Sequence, residues 1–346
     1  MKFIPPLIIL VVILLSGCDD GPVMIDNHPV DFRVAYFGGY SDSLYVIKLD
    51  GKQNFTKVKF SYRGGSVEWI PNSRAFIYSE INRNYLSTIW MFDCGTGQRT
   101  LIRTFPNEYI SGIVLSPDGR MFCCSRTPLD KSGRVLCIYD LNGSLLHTLT
   151  TPDELLYNTT WNPDGQSILL RIADTSNYYH SILWSSDLAG DRRRILESRY
   201  SLSSLSYSPD GKHIAMSVYD STGSSAIGMM DADGRNFHLV VPFSFSVFGP
   251  VWSPDGKNIA FLMCSPIYTK ATVLNLETME RRQVSHAPGV DFDARWVDND
   301  RVAFYTNGLS NVCIVSKHGT DFSQVTNISS LEDGGVFTYA ISSIAF

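Results

Sequence analysis

One six-residue phrase, Trp252 to Lys257, constrains the fold of this chain more than any other feature of the sequence. It reads Trp-Ser-Pro-Asp-Gly-Lys and precedes the apolar run Asn258 to Phe261. Related phrases occupy residues 207–212, 115–120 and 161–166, and degenerate versions occupy residues 69–74 and 296–301. A chain with this repetition is expected to fold as an array of similar units.

The centre of the phrase predicts a tight turn between two strands. Proline sets φ at the first turn position, aspartate bonds to nearby backbone, and glycine adopts positive φ without a steric clash. Short apolar runs on both sides make this a hairpin pattern. The alternative is that the repeated aspartate is a ligand or an acid, but turn chemistry explains it without either role.

The strand after the turn recurs seven times at a regular period. The seven copies are Arg33–Phe37, Arg74–Tyr78, Arg120–Cys124, Gln166–Leu170, Lys212–Met216, Lys257–Phe261 and Arg301–Tyr305. Their first residues are 41, 46, 46, 46, 45 and 44 positions apart. Such a period over nearly the whole chain indicates one repeated supersecondary unit.

Each repeat has a second half with its own pattern. An apolar strand such as Leu136–Asp140 runs into a polar turn with glycine, here Gly143, and a further short strand such as His238–Val241 follows. Four strands at this period are typical of a β-propeller blade. We therefore predict an all-β fold, a seven-bladed β-propeller of four-stranded antiparallel blades, with six or eight blades as alternatives.

The two ends of the chain are predicted to meet in the first blade. Copy one has a weak first strand around Val23–Ile25 and lacks the Pro-Asp-Gly turn. After copy seven the chain still offers the strand-like segment Gly335–Phe346. We expect this segment to complete the first blade, which would remove the open sheet edges.

The repeat resembles that of the TolB-like β-propellers, whose units read Trp-Ser-Pro-Asp-Gly-Lys-x-Ile-Ala-Phe before an apolar strand and Asp-x-x-Gly. The resemblance covers residues 28–346 and implies the propeller fold. TolB carries an additional N-terminal domain, for which the segment between Cys18 and Val30 leaves no room, so its partners are not carried over. Similar repeats occur in propellers of prolyl-oligopeptidase-type peptidases and in oligogalacturonate lyase. This chain has no Gly-x-Ser-x-Gly elbow.

Residues 1–17 are predicted to be a lipoprotein signal peptide. Lys2 precedes the apolar stretch Ile4–Leu15, which is too short for a comfortable membrane span. The sequence Leu-Ser-Gly before Cys18 resembles the bacterial lipobox, which implies that Cys18 is lipidated and anchors the chain to a membrane. An ordinary secretory signal and an uncleaved anchor helix are the alternatives. Residues 18–27 form a short tether, and Asp19 suggests the inner membrane if the source is enterobacterial.

Charge and histidine content limit the ligand classes. Lysine and arginine number 29 against 34 acidic residues, a net charge of −5, and no basic cluster stands out, so we predict no nucleic acid partner. The seven histidines form neither H-x-H nor H-E-x-x-H, so we predict no metal and no cofactor. His180 and His286 fall in loops that could share one face, which leaves a metal site across blades as an alternative.

Two of the cysteines suggest a disulfide. Cys123 and Cys137 lie on consecutive predicted strands of one blade and could face each other, and an envelope location permits the bridge. The alternative is that Cys137 and Cys313, at equivalent strand positions, are small buried hydrophobic residues.

A binding surface is predicted on one rim of the propeller. Both kinds of short turn fall on one rim, here named the plain rim. The opposite, variable rim carries the connections that follow the second and fourth strands, and these differ in length. Its candidate binding residues are Tyr85, Tyr109, Tyr157, Tyr178, Tyr179, Tyr200, Tyr219, Phe243 and Phe245. Aromatic rings among polar groups suit recognition, and the alternative is that these rings pack between blades.

These patterns together predict a lipid-anchored propeller of the bacterial cell envelope, facing the periplasm or lying at the cell surface. Its predicted role is a non-catalytic scaffold that binds an envelope protein or a cell-wall polymer, and no catalytic residue is assigned. The alternative is a polysaccharide lyase or hydrolase that uses the variable rim.

Overall fold

The computed structural model describes the chain at residues 23–25, 28–30, 33–38, 43–49, 53–59, 63–71, 73–82, 84, 86–129, 133–173, 180–244, 246–265, 267–307, 311–324 and 336–340. Side chains are described within residues 65–324. Every regular element in these ranges is a β-strand. No helix in them has the length and apolar character that crossing a bilayer requires. The predicted signal peptide, Cys18, Asp19 and most of the tether lie outside the described residues.

Seven four-stranded antiparallel sheets, blades 1 to 7, make up the described fold, together with a small separate hairpin. The hairpin contains β1 (Val23–Ile25) and β2 (His28–Val30). Blade 1 contains β3 (Arg33–Gly38), β4 (Ser43–Leu49), β5 (Gln53–Lys59) and β30 (Val336–Ala340). Blade 2 contains β6 (Arg63–Trp69), β7 (Ala75–Ile81), β8 (Ser87–Asp93) and β9 (Arg99–Phe105).

The next three blades follow the same plan. Blade 3 contains β10 (Glu108–Leu115), β11 (Met121–Pro128), β12 (Val135–Asp140) and β13 (Leu145–Thr148). Blade 4 contains β14 (Leu155–Trp161), β15 (Ser167–Ala173), β16 (Ser181–Asp187) and β17 (Arg192–Ser198). Blade 5 contains β18 (Ser201–Tyr207), β19 (His213–Tyr219), β20 (Ser225–Asp231) and β21 (His238–Ser244).

The last two blades have short outer strands. Blade 6 contains β22 (Val247–Trp252), β23 (Asn258–Ser265), β24 (Tyr268–Asn275) and β25 (Arg281–Gln283). Blade 7 contains β26 (Asp291–Trp296), β27 (Arg301–Thr306), β28 (Asn311–Ser316) and β29 (Ser323–Gln324).

The strand order confirms the predicted seven-bladed architecture. Blades 2 to 7 each use four consecutive strands in sequence order, so hairpin turns alternate between the two rims. Blade 1 has the order β30-β3-β4-β5, with Ala340 opposite Ala35. The C-terminal strand therefore completes the first blade as predicted. Val23–Ile25 pairs with β2 instead of supplying the first strand of blade 1.

The first strand of each blade is innermost. The first strands of successive blades contact one another in the order β30, β6, β10, β14, β18, β22 and β26. A recurrent indole bond joins them: Nε1 of Trp161 donates to the carbonyl of Val114, 3.1 Å away. The core lies between blades. Ile77 and Ile89 of blade 2, for example, pack with Phe122 and Tyr139 of blade 3.

The repeated aspartate is used inside its turn. Asp255 Oδ1 accepts hydrogen bonds from the Ser253 hydroxyl at 2.6 Å and the Lys257 amide at 3.0 Å. Gly256 has φ 69°, which a residue with a Cβ rarely adopts. Asp118 and Asp210 make the same bonds in their turns. Turn formation thus accounts for the repeated residue, as expected.

The predicted pairing of Cys123 with Cys137 is wrong. The strand register places Cys124 opposite Cys137, whereas Cys123 lies opposite Ile138. Cys123 packs toward blade 4, and Cys137 packs toward blade 2. Since adjacent residues of a strand point to opposite faces of its sheet, the Cys123 and Cys137 side chains cannot meet. Both thiols are free in the structure and buried.

Candidate functional site: the variable rim

The innermost strands begin at the variable rim. In blades 2 to 7 each first strand runs from this rim to the plain rim, where it enters the Pro-Asp-Gly turn or its degenerate equivalent. The variable rim also carries the second-to-third-strand hairpins and the connections between blades. Of the predicted binding residues, Tyr85, Tyr178, Tyr179 and Phe245 lie outside the described residues.

Two predicted aromatic residues are exposed on this rim. Tyr109, near the start of β10, has 46% of its surface exposed, and Tyr157 of β14 has 39% exposed. Both lie on innermost strands, close to the axis around which the blades are arranged. They are the predicted residues that the structure presents to solvent.

Tyr157 is supported from below by a buried cation. The Arg171 guanidinium lies 4.4 Å from the centre of the Tyr157 ring, and Arg171 is only 3% exposed. Its nitrogens donate to the hydroxyls of Ser181 at 3.1 Å and Ser201 at 2.9 Å. Because Ser181 and Ser201 belong to blades 4 and 5, the cation–π contact fixes the ring at the junction of two blades.

The backbone at Tyr109 is also held firmly. Its neighbour Glu108 accepts two hydrogen bonds from Arg126, at 2.9 and 2.6 Å. The Glu108 carbonyl accepts a bond of 2.6 Å from the hydroxyl of Ser87 in blade 2. The bidentate pair is geometrically restrictive. Tyr109 is therefore exposed on a strand that is held in place on both sides.

Two other predicted residues pack within the protein instead. The rings of Tyr200 and Phe243 lie 5.4 Å apart, and both pack against the apolar cluster of blade 5. Tyr219, at the end of β19 opposite Ser225, is half-buried. For Tyr200 and Phe243 the packing interpretation is the one that the structure supports.

Several other apolar residues of this rim, which the sequence patterns do not single out, are exposed. Phe292 of β26 is 43% exposed, and it lies four residues before Trp296, as Tyr157 lies four residues before Trp161. The half-buried Phe248 holds the same position before Trp252. Alignment of the first strands on their tryptophans could have identified this position. Leu129, Ile267 and Tyr268, which are 48%, 77% and 47% exposed, lie on variable-rim hairpins.

The innermost strands are irregular just below these rings. Each first strand of blades 2 to 7 has a register shift relative to its neighbour. In β18 and β26 the bulge contains Ser204 and Asp293, both with φ 49°. Non-glycine residues with positive φ are uncommon and concentrate at functional sites. The bulges are thus a second feature that sets this end of the strands apart.

A charged group lies further along the innermost strands. Glu68 in blade 2 and Arg295 in blade 7 hold equivalent positions, each directly before the tryptophan of its first strand. Arg295 Nε donates a hydrogen bond to Asp293 at 2.7 Å. Burial raises the pKa of Glu68 to about 7, while Arg295 lowers it and Asp293 raises it. The half-buried Glu68 carboxyl is therefore partly protonated near neutral pH, within the electrostatic reach of blade 7.

The histidines of this rim are engaged with other side chains. His180 Nε2 lies 3.4 Å from a carboxylate oxygen of Glu197, and His286 Nδ1 lies 3.5 Å from the amide nitrogen of Gln283. Within the described residues no group of three or more histidine, cysteine or acidic side chains is arranged to hold a metal ion. The described part of the rim therefore presents aromatic surface as its main chemical feature.

Comparisons with known sequences show short regions of similarity. No family model matches the chain. Dipeptidyl-peptidase 5 of Porphyromonas gingivalis is 29% identical over 150 residues, which is 39% of this chain and 22% of that protein. The Tol-Pal system protein TolB of Methylococcus capsulatus is 39% identical over 61 residues, 18% of this chain and 14% of that protein. The chain spans less than a third of the length of these curated relatives.

Solved structures share the fold over most of the chain. TolB from Acinetobacter baumannii has a TM-score of 0.56 at 15% identity, covering 90% of this chain and 82% of that one. The β-propeller domain of the Trilobed protease from Pyrococcus furiosus has a TM-score of 0.64 at 12% identity, covering 85% and 98%. The repeat phrase, the seven sheets and these similarities agree, and the chain therefore has a TolB-like β-propeller fold.

Proposed function

We propose that this chain is a non-catalytic scaffold of the bacterial cell envelope, which binds an envelope protein at its variable rim. The observation that carries the proposal is the set of exposed aromatic rings, Tyr109, Tyr157 and Phe292, on three innermost strands. Aromatic side chains are enriched in protein interfaces because they bury large area with few rotatable bonds. The Arg171 support beneath Tyr157 reduces the entropy lost when a partner binds.

The location in the envelope rests on the N-terminal sequence. We propose that residues 1–17 are a signal peptide, that Cys18 is lipidated, and that residues 18–27 tether the propeller. The chain enters blade 1 at Arg33, and β3, as a second strand, begins at the plain rim. The fourteen residues between Cys18 and Arg33 span at most about 50 Å. An anchor that enters the propeller at the plain rim would leave the variable rim free for a partner.

A binding experiment in cells tests this function. The full chain is crosslinked with a cleavable amine reagent, purified, and its adducts are identified for wild type and for Tyr109→Ser, Tyr157→Ser and Phe292→Ser. We expect one envelope protein in the wild-type adducts and its loss from the variants. A matched control is Leu239→Ser, which changes a 37% exposed residue on the outer strand of blade 5. Unchanged adducts in all three rim variants would reject the rim as the binding surface.

A lyase or hydrolase is the second candidate, and it is tested separately. A lyase that uses a metal and an acidic sugar should be stabilised by both, because a ligand that binds only the folded state raises the melting temperature. The scaffold predicts no shift of the melting temperature with divalent cations or with galacturonate oligomers. Adducts that contain cell-wall polymer in place of protein would redirect the proposal to a polymer partner.

A further inference from the structure

We propose that Cys124 and Cys137 form an intrachain disulfide when the chain folds in an oxidising compartment. The two residues lie directly opposite each other on the antiparallel strands β11 and β12. Opposed residues of such strands have Cα atoms about 4.5–5.5 Å apart, within the range of about 4.4–6.8 Å that disulfides require. The register thus gives one pair of cysteines, whose thiols are free in the structure, the backbone spacing that a disulfide allows.

The side chains also share one face of the sheet. Cys124 and Cys137 are both 0% exposed and belong to the apolar cluster between blades 2 and 3. The Cys137 sulfur lies 3.7 Å from Thr148 Oγ1 and 3.7 Å from an Arg126 nitrogen.

The remaining cysteines of the described fold are less suitable partners. Cys123 is on the opposite face of β11, in the cluster shared with blade 4. Cys313 lies opposite Phe304 in blade 7, and Cys94 and Cys264 belong to blades 2 and 6. Cys124 and Cys137 are thus the pair that the strand register favours.

The reaction is a thiol–disulfide exchange. The two thiols together lose two protons and two electrons as one S–S bond forms, and the oxidant is the disulfide of a thiol oxidoreductase or of glutathione, which is reduced to two thiols. Exchange requires a thiolate and access. Burial raises the pKa of the Cys124 thiol well above its usual value. The bridge should therefore form during folding, before blades 2 and 3 pack together.

The test uses the full chain, reduced, unfolded and refolded in a buffer of oxidised and reduced glutathione. Free thiols are then alkylated in denaturant without reductant, and the mass and the linked peptides are measured. We expect two of the six thiols that follow Cys18 to be protected until reductant is added. Fragmentation of the linked peptide should join residue 124 to residue 137. Reduction should lower the melting temperature of wild type and leave that of the Cys124→Ala/Cys137→Ala double variant unchanged.

The neighbouring cysteine supplies the matched control. Cys123→Ala should keep the bridge, and Cys124→Ala should lose it. The two variants are matched, because the residues are adjacent in the chain and both thiols are fully buried. A wild-type chain whose thiols all react after refolding would overturn the proposal, as would a bridge that survives Cys124→Ala. In cells the bridge depends on the proposed envelope location. Refolding in a defined buffer removes that dependence, so failure here is distinct from failure of the proposed function.

Discussion

The indole Nε1 of Trp252 donates a hydrogen bond to the backbone carbonyl of Ser206, 3.1 Å away on the innermost strand of the preceding blade. Trp296 makes the equivalent bond to Val251 at 3.0 Å. The tryptophans of β14, β22 and β26 therefore act between blades as well as within one, since each ties its first strand to the first strand of the preceding blade. This role explains their position at the end of the strand, where the chain enters the turn.

Trp252→Phe should lower the free energy of unfolding more than Trp69→Phe does. Both indoles are buried, at 7% and 3% exposure, but Nε1 of Trp69 finds no acceptor among the described residues. The two changes remove similar apolar area, so their difference isolates the bond, which we expect to contribute about 0.5–1.5 kcal/mol. Urea unfolding of the two variants measures it. Equal losses would show that the indole bond between blades contributes nothing to stability.

Gly234→Ala should destabilise the fold far more than Gly223→Ala. Both glycines have positive φ, 92° and 85°, so both variants carry the same backbone strain. A Cβ at Gly234 would collide with the carbonyl oxygen of Ile195 in blade 4, whereas a Cβ at Gly223 would meet open space. We expect about 1 kcal/mol for Gly223→Ala and a several-fold larger loss for Gly234→Ala. Thermal unfolding distinguishes them, and similar melting temperatures would argue against close packing of these blades.

Glu68→Gln should change how stability depends on pH. The folded pKa of Glu68 is raised from 4.5 to about 7 by burial. Between these values the folded state binds more protons than the unfolded state, so the free energy of unfolding falls as pH rises through this window. The glutamine variant lacks this titration. Its free energy of unfolding relative to that of wild type should therefore rise by on the order of 1–3 kcal/mol between pH 4.5 and 8.

Urea unfolding at pH 4.5, 6 and 8 measures this effect in Glu68→Gln and in Glu277→Gln. Glu277 is an exposed carboxylate on the plain rim and serves as the control. The Glu277 variant should follow the wild-type curve at all three values. A constant difference between Glu68→Gln and wild type would mean that the Glu68 carboxyl titrates alike in the folded and unfolded states.

The repeat made the architecture predictable, because each local pattern has one structural solution. The run from Lys257 to Phe261 predicts a strand, and β23 begins at Asn258. The strand-like segment Gly335–Phe346 is predicted to complete blade 1, and β30 lies in that blade at Val336–Ala340. Turn residues and period suffice for such statements, since they depend on backbone chemistry that is local to each repeat.

Features that depend on register and packing were harder to predict. A slip of one residue moves a side chain to the other face of a sheet, so the sequence could not decide between Cys123 and Cys124 as the residue facing Cys137. Tyr157 lies in a first strand and Tyr200 directly before one, yet Arg171 contacts the exposed ring of Tyr157 whereas Phe243 packs against Tyr200. Such differences arise from contacts between blades, which a single sequence does not reveal.

Cys18→Ala should release the chain from the membrane fraction. If Cys18 carries the lipid, the alanine variant loses the acyl chains that provide membrane affinity, and the precursor should keep its signal peptide. Fractionation of cells with immunodetection, together with the intact mass of the purified chain, measures both effects. Cys94→Ala is the control and should stay in the membrane fraction. A wild-type chain without added lipid mass would contradict the lipidation proposal.

Site-specific photo-crosslinking tests the central claim, that the variable rim binds an envelope protein. A photoreactive phenylalanine is placed in cells at Tyr109, Tyr157 or Phe292 on the variable rim, or at Arg120 on the plain rim, where the side chain is 85% exposed. We predict a discrete protein adduct from position 157 and none from position 120. An adduct from position 120 alone, or no adduct from positions 109, 157 and 292, would contradict the claim.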